Sequence, residues 1–79
     1  PVLGVWVGGK ARAYPLSAFD ARGETLDQEL DGKRFRLIYD GQHKAARVAS
    51  ADEGVQWMYS FWFAWYAFRP HTEVYSGEI

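Results

Sequence analysis

The chain has 79 residues with nine Lys+Arg against ten Asp+Glu, so it has length for one small domain, residues 1–79, of formal charge −1. That balance disfavours a dedicated nucleic-acid binder, which is normally clearly basic, and a 48% hydrophobic content excludes a disordered tail or low-complexity linker. With no cysteine there is no disulfide, thiolate metal site or cysteine nucleophile, so the aromatic residues, 18% of the chain, must carry the core.

The chain opens on Pro1 rather than Met, as expected of a processed or partial product or of a sequence whose natural start lies elsewhere. Residues 2–7 are β-branched and apolar and read as a strand, with Gly8-Gly9 supplying the positive φ angles of a hairpin turn. Residues 10–14 return as a second strand. Its alternation puts Lys10, Arg12 and Tyr14 on one face and Ala11 and Ala13 on the other, as in a half-exposed antiparallel strand that Pro15 ends. Residues 16–19 form one helical turn, and Asp20-Ala21-Arg22-Gly23 a surface turn.

Residues 25–30 read as a short strand and Asp31-Gly32 as a hairpin signal. A strand over 34–39 follows, with Phe35, Leu37 and Tyr39 inward and Arg34 and Arg36 toward water. Asp40-Gly41 marks the next turn, and residues 44–49 make another strand, with Ala46 and Val48 opposed to Arg47. Residues 50–54 are a polar loop, although Ser50-x-x-Glu53 has the form of a capping box. Ser60 is the better N-cap, for a helix over 61–68 that Pro70 stops, and residues 72–75 read as a last strand. The expected fold is α+β, mostly β: a small antiparallel meander or open barrel with one short aromatic helix near the C-terminus. The longest uncharged run, 54–68, has 15 residues, short of the roughly 20 of a transmembrane helix, so no transmembrane segment is expected.

Two stretches, Gly8-Gly9-Lys10-Ala11-Arg12-Ala13-Tyr14-Pro15-Leu16 and Trp62-Phe63-Ala64-Trp65 with Pro70-His71-Thr72, together resemble the bacterial DUF3179 family. The family pairs an opening hairpin of this kind with a closing Trp-x-x-Trp helix and a Pro-x-Thr turn. The resemblance implies a β-rich, extracytoplasmic domain, periplasmic or envelope-associated, and no established activity. Larger members carry a Cys-Pro-Leu-Cys stretch after the strand matching residues 34–39. Here Asp40-Gly41-Gln42-His43 follows, so the chain is similar to a compact member lacking that middle region. Arg69 and His71 stand where the family often has His and Asp around the proline.

The chemistry in the sequence is sparse. Asp27-x-Glu29-x-Asp31-Gly32 imitates the start of a calcium loop, but its twelfth position is Ile38 and offers no bidentate carboxylate, so a solvated hairpin is expected. His43 and His71 read as a turn histidine and a helix-exit histidine, and Ser17, Ser50 and Ser60 as turn or cap residues. No catalytic, metal or cofactor residue is assigned. Lys10, Arg12, Arg34, Arg36 and Arg47, with Lys33 and Lys44, make a candidate basic sheet face that could hold a polyanion, while the acids of 20–31 would partly cancel it.

In the aromatic helix, Trp62 and Trp65 share a face with Phe61 and Tyr66, while Phe63, Ala64 and Ala67 point away. Such a helix is either covered on both sides or presents one side to a partner. The family positions matching Tyr66, Ala67 and Phe68 are often charged, whereas here they are apolar, and Phe63, Tyr66 and Phe68 are the candidate interaction surface. The reading is a non-enzymatic structural or protein-interaction domain, such as an accessory subunit of a bacterial envelope assembly, with a protein partner or self-association through the aromatic surface. The alternative is a small ligand-binding module using an aromatic or basic face; an enzyme ranks third.

Overall fold

The structure, a computed structural model, describes residues 2–19, 25–41, 43 and 45–75. The surface turn expected at 20–23, the Ser17 side chain, Gln42 and Lys44 lie outside the described residues. In chain order the elements are β1 (Val2–Val7), β2 (Lys10–Pro15), a 3-10 turn (Leu16–Phe19), β3 (Thr25–Leu30), β4 (Lys33–Asp40), β5 (Ala45–Ala51), β6 (Gln56–Ser60), α1 (Trp62–Phe68) and β7 (Glu73–Val74). Among the described residues the domain is therefore mostly β with one short helix near the C-terminus, and its strands do not close into a barrel.

Turn chemistry sets the two hairpins that open each sheet. Asp31 and Gly32 both take positive φ, 52° and 81°, the conformation that a two-residue type I′ turn requires and that Asp and Gly tolerate best. At Gly8-Gly9 only Gly8 is at positive φ, 56°, while the pairing of Val7 with Lys10 keeps the loop at two residues.

The strands sort into two sheets, ordered β6-β1-β2-β7 and β3-β4-β5. Alternation in β1 decides what lies on either side of the first sheet. Leu3, Val5 and Val7 point with Tyr14 into a core shared with Leu26, Leu30, Phe35, Leu37 and Tyr39 of the second sheet. Val2, with Ala11 and Ala13 of β2, lines the opposite face, which Trp65 of α1 covers while Trp6 packs alongside. The helix, the first sheet and the second sheet thus form three layers.

Several expectations need correction. A single meander is not formed, since β7 returns parallel to β2 rather than extending an antiparallel series. Strand β2 is not half-exposed: Ala11, Ala13 and Tyr14 are all buried, because the sheet has a layer on each side. Pro15 ends β2 from within, paired with Val2. Strand β5 runs on to Ala51 through a bulge, where Arg36 pairs with Ser50 and Leu37 with Val48, leaving Ala49 as the extra residue. The 50–53 segment caps no helix. Asp52 instead closes a turn, its backbone N–H donating to the Arg34 carbonyl and its carboxylate accepting from the Arg34 N–H, both at 2.8 Å. Strand β6 was not expected and adds an antiparallel partner to β1. Ser60 lies in β6, its hydroxyl donating to the Phe61 carbonyl, and Phe61 is the N-cap with no side-chain cap bond.

Candidate interaction surface

One side chain seats the helix. Trp65 is 1% exposed, and its indole lies over Gly4, where a Cβ would collide with the six-membered ring. The Trp65 Nε1–H donates to Thr72 Oγ1 at 3.0 Å, and the Thr72 hydroxyl donates on to the Glu73 carbonyl. Trp6 flanks the indole at 6.1 Å between ring centroids. The Arg69 guanidinium stands 5.0 Å above the Trp6 ring and 5.1 Å from the Phe68 ring, a cation–π arrangement at the helix exit. The backbone N–H of Arg69 bonds the Trp65 carbonyl and closes the last turn before Pro70.

The two motif stretches meet at this anchor. Ala11 and Ala13 form the floor beneath Trp65, and Thr72 satisfies its indole N–H. Next door, Arg12 Nε and Nη2 each approach Glu73 Oε1 at 2.9 Å, pinning β7 to β2. The same guanidinium donates through Nη1 to Gln28 Oε1 and the Glu29 carbonyl, linking the two sheets. Ala11, Arg12, Ala13, Trp65 and Thr72 of the two stretches thus hold the fold together.

The rest of the helix faces water. Phe61, Phe63, Tyr66 and Phe68 are 64%, 75%, 51% and 62% exposed, so the candidate surface of Phe63, Tyr66 and Phe68 is exposed, and so are Phe61 and Tyr66 although helical phase put both on the Trp65 side. The Phe61 and Phe63 rings stack at 6.1 Å and 9°. Trp62, expected inward, is exposed and leans on Tyr66 instead, because a helix of seven residues crossing one strand brings only Trp65 over Gly4. No second layer covers the helix among the described residues. Beside it, Trp57, Met58 and Tyr59 of β6 are also exposed, and Tyr59, Ser60, Phe61 and Ala64 line an open hollow of about 400 Å3. Sequence reasoning missed these β6 residues, since an apolar run that alternates neither with period 2 nor with period 3.6 declares no face.

The candidate basic face does not assemble. Arg36 binds Asp27 at 2.6 and 3.3 Å, and Arg34 lies 3.8 Å from Glu29; both are direct cross-strand partners. The Arg36 hydrogen bond holds the Asp27 carboxyl below its ordinary range, and Asp27 in turn raises Arg36. Arg12 is half-buried in its own network, Lys10 sits at the tip of the other sheet, and Arg47 is exposed opposite Ile38. A hollow of about 570 Å3 on this side is lined by Asp27, Glu29 and Asp52 as well as Arg34 and Arg36, so its field is mixed.

The remaining polar candidates have local roles. His43 Nδ1 lies 2.6 Å from Asp40 Oδ2 within one turn, and His71 is exposed after the helix. Among the described residues, no three of His, Asp and Glu gather as a metal would need. Among the described residues, no helix is long and apolar enough to cross a membrane. Comparison of the chain with models of known families, with curated proteins and with solved structures finds no match.

Proposed function

We propose that the chain is a non-enzymatic interaction domain that docks a protein partner through the outer face of α1. The observation that carries this reading is a helix fixed by one buried residue, Trp65, while Phe61, Phe63, Tyr66 and Phe68 remain in water. Soluble domains seldom leave so many aromatic rings together in solvent, and aromatic side chains are favoured at interface centres. Seating by Gly4, Thr72 and Trp6 supports the reading further, since a preorganised face loses little entropy on docking. The motif resemblance adds a setting, that of an accessory subunit in a bacterial envelope assembly. The ligand-binding alternative has weaker support, because the charged hollow carries both signs and the apolar one is open.

The test compares the tagged native chain with Phe63→Asp in quantitative copurification, with circular dichroism of both. The expected result is a stoichiometric partner lost by more than about thirtyfold in Phe63→Asp, equivalent to about 2 kcal/mol, with an unchanged fold. Equal recovery from the two baits would overturn the reading.

A further inference from the structure

The first sheet ends on β6, and among the described residues β6 pairs with β1 alone, so its outer backbone edge has no strand beside it. Native proteins blunt such edges with charge, proline, a bulge or a covering element, because an open ladder is a template for another strand. None of the first three is present here. Residues 56–60 have no charge and no proline, charge is absent from all of 54–68, and the irregularity in strand pairing lies in β5. The three central side chains, Trp57, Met58 and Tyr59, are 43%, 39% and 55% exposed.

This edge is also complementary to itself. In an antiparallel pair about a two-fold axis at Met58, Met58 faces its own copy, Trp57 faces Tyr59 and Gln56 faces Ser60. The pair therefore contains two Trp–Tyr cross-strand contacts, a stabilising combination, and no charge opposes a like charge. Tyr59 is already fixed, its hydroxyl donating to the Ala46 carbonyl of the second sheet, and its ring walls the apolar hollow beside which Trp57 of the second copy arrives. A closed two-fold interface asks for one patch that matches itself, and this strand meets that condition.

We propose that the β6 edge joins two copies of this chain in an antiparallel dimer centred on Met58, merging two four-stranded sheets into one of eight strands. The proposal goes beyond the helix-face reading, whose residues lie outside the paired strand.

The natural absence of cysteine makes single-cysteine variants clean reporters. Facing residues in an antiparallel pair have Cα atoms roughly 4.5–5.5 Å apart, within disulfide reach, so Met58→Cys is expected to form a covalent dimer under a mild oxidant. Gln56→Cys is not, since its two copies lie roughly 14 Å apart in this register, and neither is Phe63→Cys. Sedimentation of the native chain should show a dimer, with Met58→Lys raising its dissociation constant at least about tenfold while circular dichroism is unchanged. If Met58→Lys does not fold, the cross-linking comparison still decides. A native chain monomeric at all concentrations, open-ended larger species, or cross-linking faster at residue 56 or 63 than at 58 overturns the dimer. Preference for residue 63 would do so while leaving the α1 reading in place.

Discussion

The indole of Trp65 rests on the bare backbone of Gly4, and a methyl group at Gly4 would overlap three carbons of its six-membered ring. Gly4 is not at positive φ, so what β1 uses there is the missing side chain. Gly4→Ala is expected to cost about 1–3 kcal/mol by overpacking, and Trp65→Ala about 3–5 kcal/mol by removing the only buried residue of α1. The two should be strongly non-additive, because the three atoms nearest the added methyl all belong to the ring that Trp65→Ala removes. Urea titration of both single variants and the double variant measures this; an equal cost of Gly4→Ala with and without Trp65 would sink the account.

The second sheet was legible in the sequence because each of its signals is local. Asp31-Gly32 specifies its turn, and Phe35, Leu37 and Tyr39 alternate with Arg34 and Arg36, so register and inner face follow from period 2. The first sheet was only half legible. Its hairpin followed from Gly8-Gly9, but the burial of Ala11 and Ala13 depends on Trp65, more than fifty residues later, and small residues under a distant ring carry no signal of their own. Strand β6 was hidden because an edge strand exposed on both faces has no hydrophobic period. At the candidate site, the exposure of Phe63 followed from helical phase, whereas that of Phe61, Trp62 and Tyr66, which the phase put on the Trp65 side, depends on which single residue meets β1.

Thr72 supplies the acceptor for the Trp65 indole N–H at 3.0 Å, beneath a ring that water does not reach. Thr72→Val keeps the shape and removes the oxygen, so it is expected to destabilise the domain by about 1–3 kcal/mol, the cost of a buried donor left unpaired. Thr72→Ser should restore most of it. Thermal unfolding monitored by tryptophan fluorescence reports both, and a Val variant as stable as the native chain would mean that the hydrogen bond contributes nothing net.

The Asp27–Arg36 pair should behave differently despite its 2.6 Å contact, because both partners are exposed and screened by solvent. Arg36→Ala is expected to leave the melting temperature nearly unchanged beside the large fall for Trp65→Ala. The lowered Asp27 carboxyl gives the pair a sign: its small contribution is present above the ordinary aspartate range and fades as acid protonates Asp27. An Arg36→Ala variant that melts as early as Trp65→Ala would make this surface a structural centre, and the helix phase would need revision.

Tyr14 gives the fold an alkaline limit. Its ring is fully buried between Phe19, Phe35 and Tyr75, and its hydroxyl donates to Gln28 Oε1 at 2.9 Å while accepting from Arg12. Burial pushes the phenol up to about 12, outweighing the opposite pull of the Arg12 hydrogen bond and charge. In the unfolded chain the same phenol ionises near about 10. Below that pH both states hold the proton and the contribution of Tyr14 is complete. Above it the unfolded chain releases a proton that the native domain retains, so stability falls as pH rises, by about 1.4 kcal/mol per pH unit until the native phenol ionises as well. Tyr14→Phe removes this titration along with the Gln28 hydrogen bond, so the variant should start lower yet lose less between pH 10 and about 12. Urea midpoints of both proteins across that window give the difference directly, since deprotonation of surface lysines affects the two alike. Parallel curves would mean that Tyr14 ionises as easily in the folded domain as in the unfolded chain, and that its buried network with Gln28 and Arg12 does not protect the proton.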